Sequence, residues 1–187
     1  MKKYDLIKEG KLFRIIALKD FNGVKKGELG GLIEKESNLS QKNECWVYKN
    51  AKVIENARVW GDAEVSGNAL VSGDATVYST AYVSGNAKVY GNARIIDKSK
   101  VTGNAKVYST AHVSGNTQAT KEVITFGNIF DYDITITDNH IKIGCQQYLK
   151  SRWLEFTNKE ILEMGGKRAL KFWRLFKPFA INRGFFN

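Results

Sequence analysis

From Cys45 to Asn116 the chain reads CWVYKN, AKVIEN, ARVWGD, AEVSGN, ALVSGD, ATVYST, AYVSGN, AKVYGN, ARIIDK, SKVTGN, AKVYST and AHVSGN. These are 12 consecutive units of six residues, with no insertion between them. Alanine opens ten of the units, and Val or Ile occupies the third position in all of them. Such a regular repeat indicates a fold built by stacking one small structural unit on the next.

Within each hexad, the small first residue and the aliphatic third residue alternate with other side chains. This two-residue period is typical of a short, half-buried β-strand. The fifth and sixth positions hold Gly-Asn, Gly-Asp or Ser-Thr in most units, and these residues favour turns. Short strands that alternate with tight corners coil the chain into a parallel β-helix. An antiparallel meander is the alternative, but it needs longer strands and hairpin turns.

The run VSGNAKVYGNAR, at residues 83–94, resembles the hexapeptide repeat of left-handed parallel β-helices. In that family three hexads form one triangular coil, and the aliphatic side chain points inward. The resemblance implies a mainly β fold, with a left-handed parallel β-helix of about four coils over residues 45–118. The sequence departs from the family pattern because its glycine mostly follows the aliphatic residue by two positions instead of one.

The segments on either side of the repeats are expected to cap them, because both ends of a solenoid expose strand edges and an apolar cross-section. Residues 1–44 are predicted to form a small N-terminal β cap. Residues 119–187 are predicted to form a C-terminal α+β module with a β-hairpin that turns at Asp138-Asn139. Helices are predicted at 147–156, 158–164 and 167–176, and Pro178 is expected to end the last one.

The flanks carry a second resemblance. The lead-in from Lys26 to Ser40, followed by Cys45-Trp-Val, looks like the start of a widespread group of phage and prophage β-helix proteins. The segments Asp133-Ile-Thr-Ile and Ile143-Gly-Cys-Gln, with Trp153, are similar to the small module that often follows the helix in that group. No general activity is assigned to the group, so the resemblance implies an origin and an architecture only.

The composition limits both the chemistry and the partners of the protein. Among 187 residues there are 29 Lys and Arg and 19 Asp and Glu, so the formal net charge is +10. This excess favours an anionic partner, such as nucleic acid or an acidic protein surface. Two cysteines cannot form a disulfide framework, which predicts a reducing compartment. Together with the resemblance to phage proteins, this implies the cytoplasm of a bacterial host. No apolar run is long enough for a membrane span, two histidines exclude a three-histidine zinc site, and neither a metal nor a cofactor is predicted.

If three hexads complete one coil, the outward side chains fall into three columns. The first column is mixed and contains Trp46, Glu64, Tyr82 and Lys100. The second contains Lys52, Leu70, Lys88 and Lys106, with Tyr90 and Tyr108 two residues further along the chain. The third contains Arg58, Thr76, Arg94 and His112, with Trp60, Tyr78 and Ile96 beside them. The last two columns combine cations with aromatic rings, which is typical of an interface between subunits or of contact with a ligand or nucleic acid, and a plain solvated surface is the third alternative.

A second concentration of positive charge lies near the C-terminus. Between Gly165 and Asn187 there are six basic residues and no acidic one: Lys167, Arg168, Lys171, Arg174, Lys177 and Arg183. A basic amphipathic helix can bind nucleic acid, an acidic protein or a membrane surface. In the alternative interpretation, the aromatic residues of this segment pack into a core and the basic side chains only face solvent.

Candidates for catalysis are few. His112 stands in the last hexad, and hexapeptide-repeat acyltransferases use a histidine near a cleft between subunits. The uninterrupted repeats lack the loop that usually accompanies that histidine, and no acidic residue is adjacent to His112 in sequence. Cys145 follows Gly144 at a predicted strand-to-helix junction, where a helix N-terminus can lower the pKa of a thiol, but the sequence shows no base for it. The pattern therefore favours a protein that is not an enzyme.

Taken together, the sequence predicts a non-enzymatic, phage-type binding protein. An oligomeric β-helix, expected to be a homotrimer, would present basic and aromatic faces to a host protein, a nucleic acid or a nucleotide, and inhibition or sequestration of a host defence component fits such a protein. Two alternatives stay open: a hexapeptide acyltransferase that uses acyl-coenzyme A, and a structural component of a virion.

Overall fold

A computed structural model describes residues 2–129 and 132–187 of the chain. The chain divides into two compact units, one that ends at Val123 and one that runs from Ile124 to Asn187. Each unit has its own hydrophobic core. The two units are described separately below.

The repeats form a parallel β-solenoid. Each hexad contributes a two-residue strand, so that a strand recurs with every hexad along the chain. The strands are β4 (Trp46–Val47), β5 (Lys52–Val53), β6 (Arg58–Val59), β7 (Glu64–Val65), β8 (Leu70–Val71), β9 (Thr76–Val77), β10 (Tyr82–Val83), β11 (Lys88–Val89), β12 (Arg94–Ile95), β13 (Lys100–Val101), β14 (Lys106–Val107), β15 (His112–Val113) and β16 (Gln118–Ala119). They pair in three parallel sheets, so the expected solenoid is confirmed and the antiparallel meander is excluded for this region.

Successive strands of one sheet are three hexads apart in the chain. Val83, for example, pairs with Val65 on one side and with Val101 on the other. Backbone hydrogen bonds join the same neighbouring coils, as in the 2.8 Å bond from the amide of Ser66 to the carbonyl of Val83. The alanines and the aliphatic residues of the hexads point inward and are buried along the whole solenoid. The hydrophobic repeat and the backbone ladder therefore specify the same register.

The corners of the solenoid explain the unusual place of glycine in the hexads. The fifth residue of all 12 hexads has a positive φ, and seven of these residues are glycines. Glycine adopts this backbone region without steric cost. The corners are also tightly stacked, because a Cβ added to Gly67 would lie 2.8 Å from the carbonyl oxygen of Gly85. The glycine thus follows the aliphatic residue by two positions because the corner itself lies there.

The solenoid extends beyond the 12 hexads at both ends. Ile33 pairs with Val53 and Leu39 with Val59, an offset slightly longer than the three hexads that separate later coils. At the other end, β16 continues one sheet past Asn116. The solenoid therefore has about five turns instead of the four expected from the repeats alone.

An antiparallel hairpin covers the start of the solenoid. It consists of β1 (Tyr4–Glu9) and β2 (Leu12–Ala17), and it continues through β3 (Leu29–Ile33) into the sheet that contains β5. A short 3₁₀ helix spans Glu36–Asn38. The hairpin region buries Trp46, whose ring contacts Tyr4 and Phe21 at centroid distances of 6.2 and 5.3 Å. Trp46 stands in the outward column and pairs with Glu64, as expected, but the expectation that it forms part of an exposed face is wrong because the cap covers the first coil.

The second unit is an antiparallel sheet followed by helices. Its strands are β17 (Ile124–Ile129), β18 (Tyr132–Ile136), β19 (His140–Ile143) and β20 (Gln146–Leu149), and its helices are α1 (Lys150–Glu155) and α2 (Asn158–Asn182). The expected hairpin around Asp138-Asn139 is formed by β18 and β19. The expected helix start at residue 147 is wrong, because Gln146–Leu149 pairs with β19 as an edge strand.

Helix α2 is broken in the middle and continues past its proline. Gly166 has a φ of 67° and a ψ of −160°, so the chain forms two helical segments, 158–164 and 167–182. Only glycine adopts this region readily. Pro178 was expected to end the helix, but it lies inside the second segment. Its ring removes a hydrogen bond to the carbonyl of Arg174, and because both residues are exposed, water can replace that bond.

The register can be tested by a charge placed inside the solenoid. Val83→Asp puts an unpaired carboxylate between Val65 and Val101, and we expect it to abolish cooperative unfolding. The matched variant Ser84→Asp changes the outward neighbour and should lower the free energy of unfolding by less than about 0.5 kcal/mol. Thermal and urea unfolding, followed by circular dichroism, measure both variants. A soluble Val83→Asp protein that unfolds cooperatively would contradict this register.

Candidate binding surfaces

One sheet of the solenoid presents a column of lysines, here called the lysine face. It consists of the outward residues of β5, β8, β11 and β14: Lys52, Leu70, Lys88 and Lys106. The three lysines are exposed, and none of them forms an ion pair with a carboxylate among the described residues. Lys88 and Lys106 are direct neighbours across the parallel pair. Like charges in such positions repel each other, so an anion between them would relieve a repulsion already present in the fold.

Two tyrosines stand beside the lysine face. The rings of Tyr90 and Tyr108 stack with a centroid distance of 5.4 Å and an interplanar angle of 13°. The hydroxyl of Tyr108 donates a 2.9 Å hydrogen bond to Glu122, and this bond raises the pKa of Tyr108. On the preceding coil, the position next to Tyr90 belongs to Ser72, whose side chain is too small to cover a ring. Tyr90 keeps 38% of its surface exposed.

A second sheet presents the arginine face. It consists of the outward residues of β6, β9, β12 and β15: Arg58, Thr76, Arg94 and His112. Arg58 and Arg94 are exposed, and neither forms an ion pair within the part of the chain that the structure describes. Thr76 lies between the two arginines in the column, so each guanidinium group can contact a separate anionic group.

The aromatic column of the arginine face has the same arrangement as that of the lysine face. Trp60 and Tyr78 stack at a centroid distance of 4.4 Å with an interplanar angle of 11°. The preceding coil places Ser40 next to Trp60 in the backbone ladder. Trp60 keeps 46% of its surface exposed. Each face therefore has two features. One is a pair of stacked rings with a serine next to it at one end, and the other is a column whose cations lie two residues before the ring positions in the chain.

The corners of the solenoid explain why these cations have no carboxylate partners. The corner before the lysine face carries a ladder of amides, with hydrogen bonds of 3.1 to 3.4 Å that join Asn50, Asn68, Asn86 and Asn104. At the other corners, Glu55 accepts a hydrogen bond from the amide of Gly73, and Asp97 accepts one from Gly115. These two carboxylates bond to backbone amides of the next coil, and the other two corner carboxylates, Asp62 and Asp74, accept hydrogen bonds from the amide of Glu44 and the side chain of Asn56. The positive charge of the two faces is thus left for a partner.

The predicted basic residues of the C-terminal segment lie on and just after α2, but they do not act alike. Lys167, Lys171 and Arg174 are exposed on one side of the helix. Arg168 lies 5.6 Å above the ring of Tyr132. The aromatic residues Phe172, Trp173 and Phe176 are buried in the core of the second unit, as the core interpretation expected. The exposed basic residues and the buried aromatic residues of this segment therefore lie on two different sides of one helix.

The two weak catalytic candidates lie in different units of the chain. His112 is half-buried on β15, where it stands next to Arg94 in the column. Cys145 is exposed in the tight turn between β19 and β20, so the helix N-terminus that was expected beside it is a strand instead. It also lines a small cavity of about 70 Å³ whose other walls are mostly apolar, including Trp153 and Phe172. Within residues 2–129 and 132–187, no cluster of three or more His, Cys, Asp and Glu is arranged to hold a metal ion.

A buried polar contact at the N-terminus was not predicted by the sequence analysis. Lys3 is fully buried, and its amine donates to the carbonyl of Cys45 at 2.8 Å and to the carbonyl of Asn43 at 3.3 Å. The amine also lies 3.3 Å from the thiol of Cys45. Burial lowers the pKa of Lys3 and raises the pKa of Cys45. No pattern in the sequence distinguishes Lys3 from the exposed lysine beside it, and the contact fastens the first strand to the first coil.

Comparison with protein-family models gives no match, and comparison with curated proteins gives none either. Among the described helices, none has the length and hydrophobicity needed to cross a membrane. The surfaces described above therefore carry the functional argument by themselves.

The two thiols give a test of these environments. In the native protein we expect Cys145 to react rapidly with Ellman's reagent, because it is exposed. Cys45 should react only on unfolding, because it is buried and burial raises its pKa. Cys145→Ser should remove the fast reaction, and Cys45→Ala should keep it. Rapid reaction of Cys45 in folded Cys145→Ser protein would contradict the closed N-terminal contact.

Proposed function

We propose that this protein is a non-enzymatic binding protein whose solenoid faces bind single-stranded nucleic acid. The observation that carries the proposal is the pairing, on two faces, of cations that lack carboxylate partners with a stacked aromatic pair that adjoins a serine. Cations that follow a phosphate backbone and rings on which bases stack are the two parts of a binding groove for single strands. Base stacking of this kind contributes about 1–3 kcal/mol per base.

The arginine face has the more favourable chemistry of the two. Guanidinium groups bind phosphate oxygens through two parallel hydrogen bonds, and indole offers the largest ring for stacking. Arg58 and Trp60 alternate with the inward Val59 and therefore point to the same side of the sheet. A base stacked on the ring of Trp60 that faces Ser40 would place its phosphate near Arg58. A second phosphate, two coils further on, would lie near Arg94.

We also infer that the solenoid self-associates as a homotrimer, the usual assembly of triangular hexapeptide prisms. The observation that favours self-association is the exposure of Trp60 and Tyr90 on flat sheets, because exposed aromatic columns are typical of interfaces. The two roles are compatible if one face joins the subunits and the other binds the ligand. A trimer would repeat the free face three times and raise the affinity for a long strand through multivalency.

The biological setting is proposed from the resemblance in the flanking segments. A phage-encoded protein of this kind would act in the cytoplasm of the bacterial host, and sequestration of a nucleic acid or nucleotide used in host defence is the role that fits it. The acyltransferase alternative predicts stabilisation by acetyl-coenzyme A, which at 100 times its Kd would add about 2.7 kcal/mol in a thermal-shift assay. The virion alternative predicts that the protein co-purifies with phage particles.

Charge reversal on the arginine face tests the binding proposal. We expect Arg58→Glu with Arg94→Glu to weaken binding of a fluorescent oligothymidylate at least tenfold at low salt. If both side chains contact phosphates, the slope of log K against log salt should also become shallower by about 1.4, since each contact contributes about 0.7 on single strands. Fluorescence anisotropy between 50 and 500 mM salt, about the range over which phosphate contacts are screened, measures both quantities.

The matched control reverses two exposed lysines of the N-terminal hairpin, Lys8→Glu with Lys11→Glu, and so makes the same change in net charge. Binding should be reduced much less in this control than in the arginine variant. Equal losses in the two variants would show that only net charge matters. Affinity that is the same at both salt limits would place the ligand site elsewhere.

Light scattering tests the oligomer. We expect a molar mass of about three times 21.0 kDa at micromolar concentration. If the arginine face binds the ligand, as proposed, Trp60→Ser with Tyr78→Ser should keep the molar mass, and loss of the aromatic column of the lysine face should lower it. Tyr90→Ser with Tyr108→Ser is the matched change on the lysine face. A monomeric wild-type protein would refute the trimer.

A further inference from the structure

The exposed side of α2 carries a second surface, distinct from the solenoid faces. The second helical segment, residues 167–182, extends over about 24 Å at 1.5 Å per residue. Phe172, Trp173, Phe176 and Ala180 occupy one side of it and are buried in the core. The opposite side therefore faces away from the core of this unit along the whole segment.

A row of three cations runs along this opposite side. Lys171 and Arg174 follow Lys167 by four and seven residues, so the three side chains stand above one another, one helical turn apart. None of the three forms an ion pair in the portion of the chain that the structure describes. The segment from Gly165 to Asn187 contains no acidic residue that could neutralise them. This row is called the cationic row below.

The other cations of the segment are already engaged within the second unit. Lys177 donates a 2.9 Å hydrogen bond to the carbonyl of Leu154 and lies 5.6 Å from the ring of Trp173. Arg168 and Arg183 lie 5.6 and 5.8 Å from the rings of Tyr132 and Phe179. Among the described residues, the cationic row therefore consists of the basic side chains of this segment that contact neither a ring, a carbonyl nor a carboxylate within the second unit.

Apolar side chains flank the cationic row on both sides. At about 100° per residue, Leu175 lies about 80° to one side of Lys167, and Leu170 and Ile181 lie about 40° to 60° to the other. Leu175 and Ile181 are 51% and 52% exposed. A cleft of about 410 Å³ lies among the row and its flanks, lined by Lys167, Leu170, Lys171, Arg174 and Leu175. The surface is thus cationic in its centre and apolar at its edges.

This order of charge and apolar surface distinguishes between classes of partner. A helix that lies on a membrane has its apolar residues in the centre of the contacting face and its cations at the borders, which is the reverse of the order here. A phosphate backbone would neutralise the cations but would leave the exposed Leu175 and Ile181 without apolar contact. A helix with carboxylates along its centre and aliphatic residues beside them matches both features.

We propose that the cationic row and its apolar flanks bind an acidic amphipathic helix of a partner protein. Glutamate or aspartate residues of the partner at positions i, i+4 and i+7 would meet Lys167, Lys171 and Arg174 in turn. Leucine-type side chains next to them would cover Leu170 and Leu175. The carboxylates provide register and fast association, and the burial of the apolar flanks provides the affinity that remains at high salt.

The test uses the full-length protein and a labelled synthetic peptide of about 16 residues, a length that matches the helical segment. The peptide carries Glu at i, i+4 and i+7 with Leu beside each Glu. Two control peptides replace either every Glu by Gln or every Leu by Ser. Fluorescence anisotropy should show binding of the acidic peptide, with at least a tenfold loss of affinity in each control peptide.

The protein variants locate the site. Lys171→Glu with Arg174→Glu should weaken peptide binding at least tenfold, and Leu175→Ser should weaken it several-fold. Lys8→Glu with Lys11→Glu makes the same change in net charge on the first unit and should leave the affinity within twofold of wild type. All variants should keep the wild-type melting temperature within about 2 °C, because the changed side chains are exposed.

Three results would overturn the proposal. The first is no binding of the acidic peptide at low salt, and the second is equal binding by wild type and by Lys171→Glu with Arg174→Glu. The third is tighter binding, lost in that same variant, of oligothymidylate or of vesicles that contain phosphatidylserine, which would assign the row to a phosphate backbone or to a lipid surface. The first two results leave the proposal for the solenoid faces untouched. The third would also contradict that proposal if the single strand were oligothymidylate, because the nucleic-acid site would then lie on α2 and not at Arg58 and Arg94.

Discussion

Each coil of the solenoid is joined to the next by a ladder of backbone hydrogen bonds, such as the bond from the amide of Ser66 to the carbonyl of Val83. The ladder leaves no freedom for one coil to slide on the next, because a shift by a single residue would turn the aliphatic columns outward. It also places equivalent hexad positions directly above one another. Every feature of the two faces, from the paired lysines to the stacked rings, follows from this register.

Stacking of equivalent positions has an energetic consequence for charge. A column that repeats asparagine gains a hydrogen bond at each step, as the ladder from Asn50 to Asn104 does. A column that repeats lysine gains nothing and brings like charges together, as at Lys88 and Lys106. Among the acidic residues at the corners, Glu55, Asp62 and Asp97 bond to backbone amides and Asp74 to the side chain of Asn56, and none of them forms an ion pair with these lysines among the described residues. The corners are thus stabilised by hydrogen bonds, whereas the positive charges of the two faces are not balanced by neighbouring carboxylates.

The sequence allowed the solenoid and its columns to be predicted because both depend on a local repeat. The hexads specify which residues point inward, and the assumption of three hexads per coil then aligns Arg58 with Arg94 and Lys88 with Lys106, as the structure shows. Contacts between distant segments could not be predicted in this way. Trp46 is buried by a hairpin that carries no repeat, and the amine of Lys3 bonds to Asn43 in the loop before the first hexad and to Cys45, the first residue of that hexad.

The second unit shows the same division between local and non-local information. The break at Gly165-Gly166 is a local signal, and it separates the helical segments where the sequence analysis separated them. The segment Gln146–Leu149 has no strong preference of its own and becomes a strand because the edge of β19 is available to it. Which cations of α2 have partners is also a tertiary property, since Arg168 and Lys177, which lie about 80° to 100° around the helix from Lys167, contact the ring of Tyr132 and the carbonyl of Leu154 on other elements.

The interval of three hexads between stacked strands has a further consequence for how the protein can change in evolution. Gain or loss of three hexads within the repeats would add or remove one whole turn and keep every column in line, so the faces can lengthen without being redesigned. Gain or loss of a single hexad would preserve the core equally well, because nearly all hexads present the same inward residues. It would, however, advance all later strands by one sheet and place the lysines of one part of the solenoid in line with the arginines of another. Selection for an intact face can therefore be recognised by indels that come in multiples of three hexads, whereas selection for folding alone would permit multiples of one.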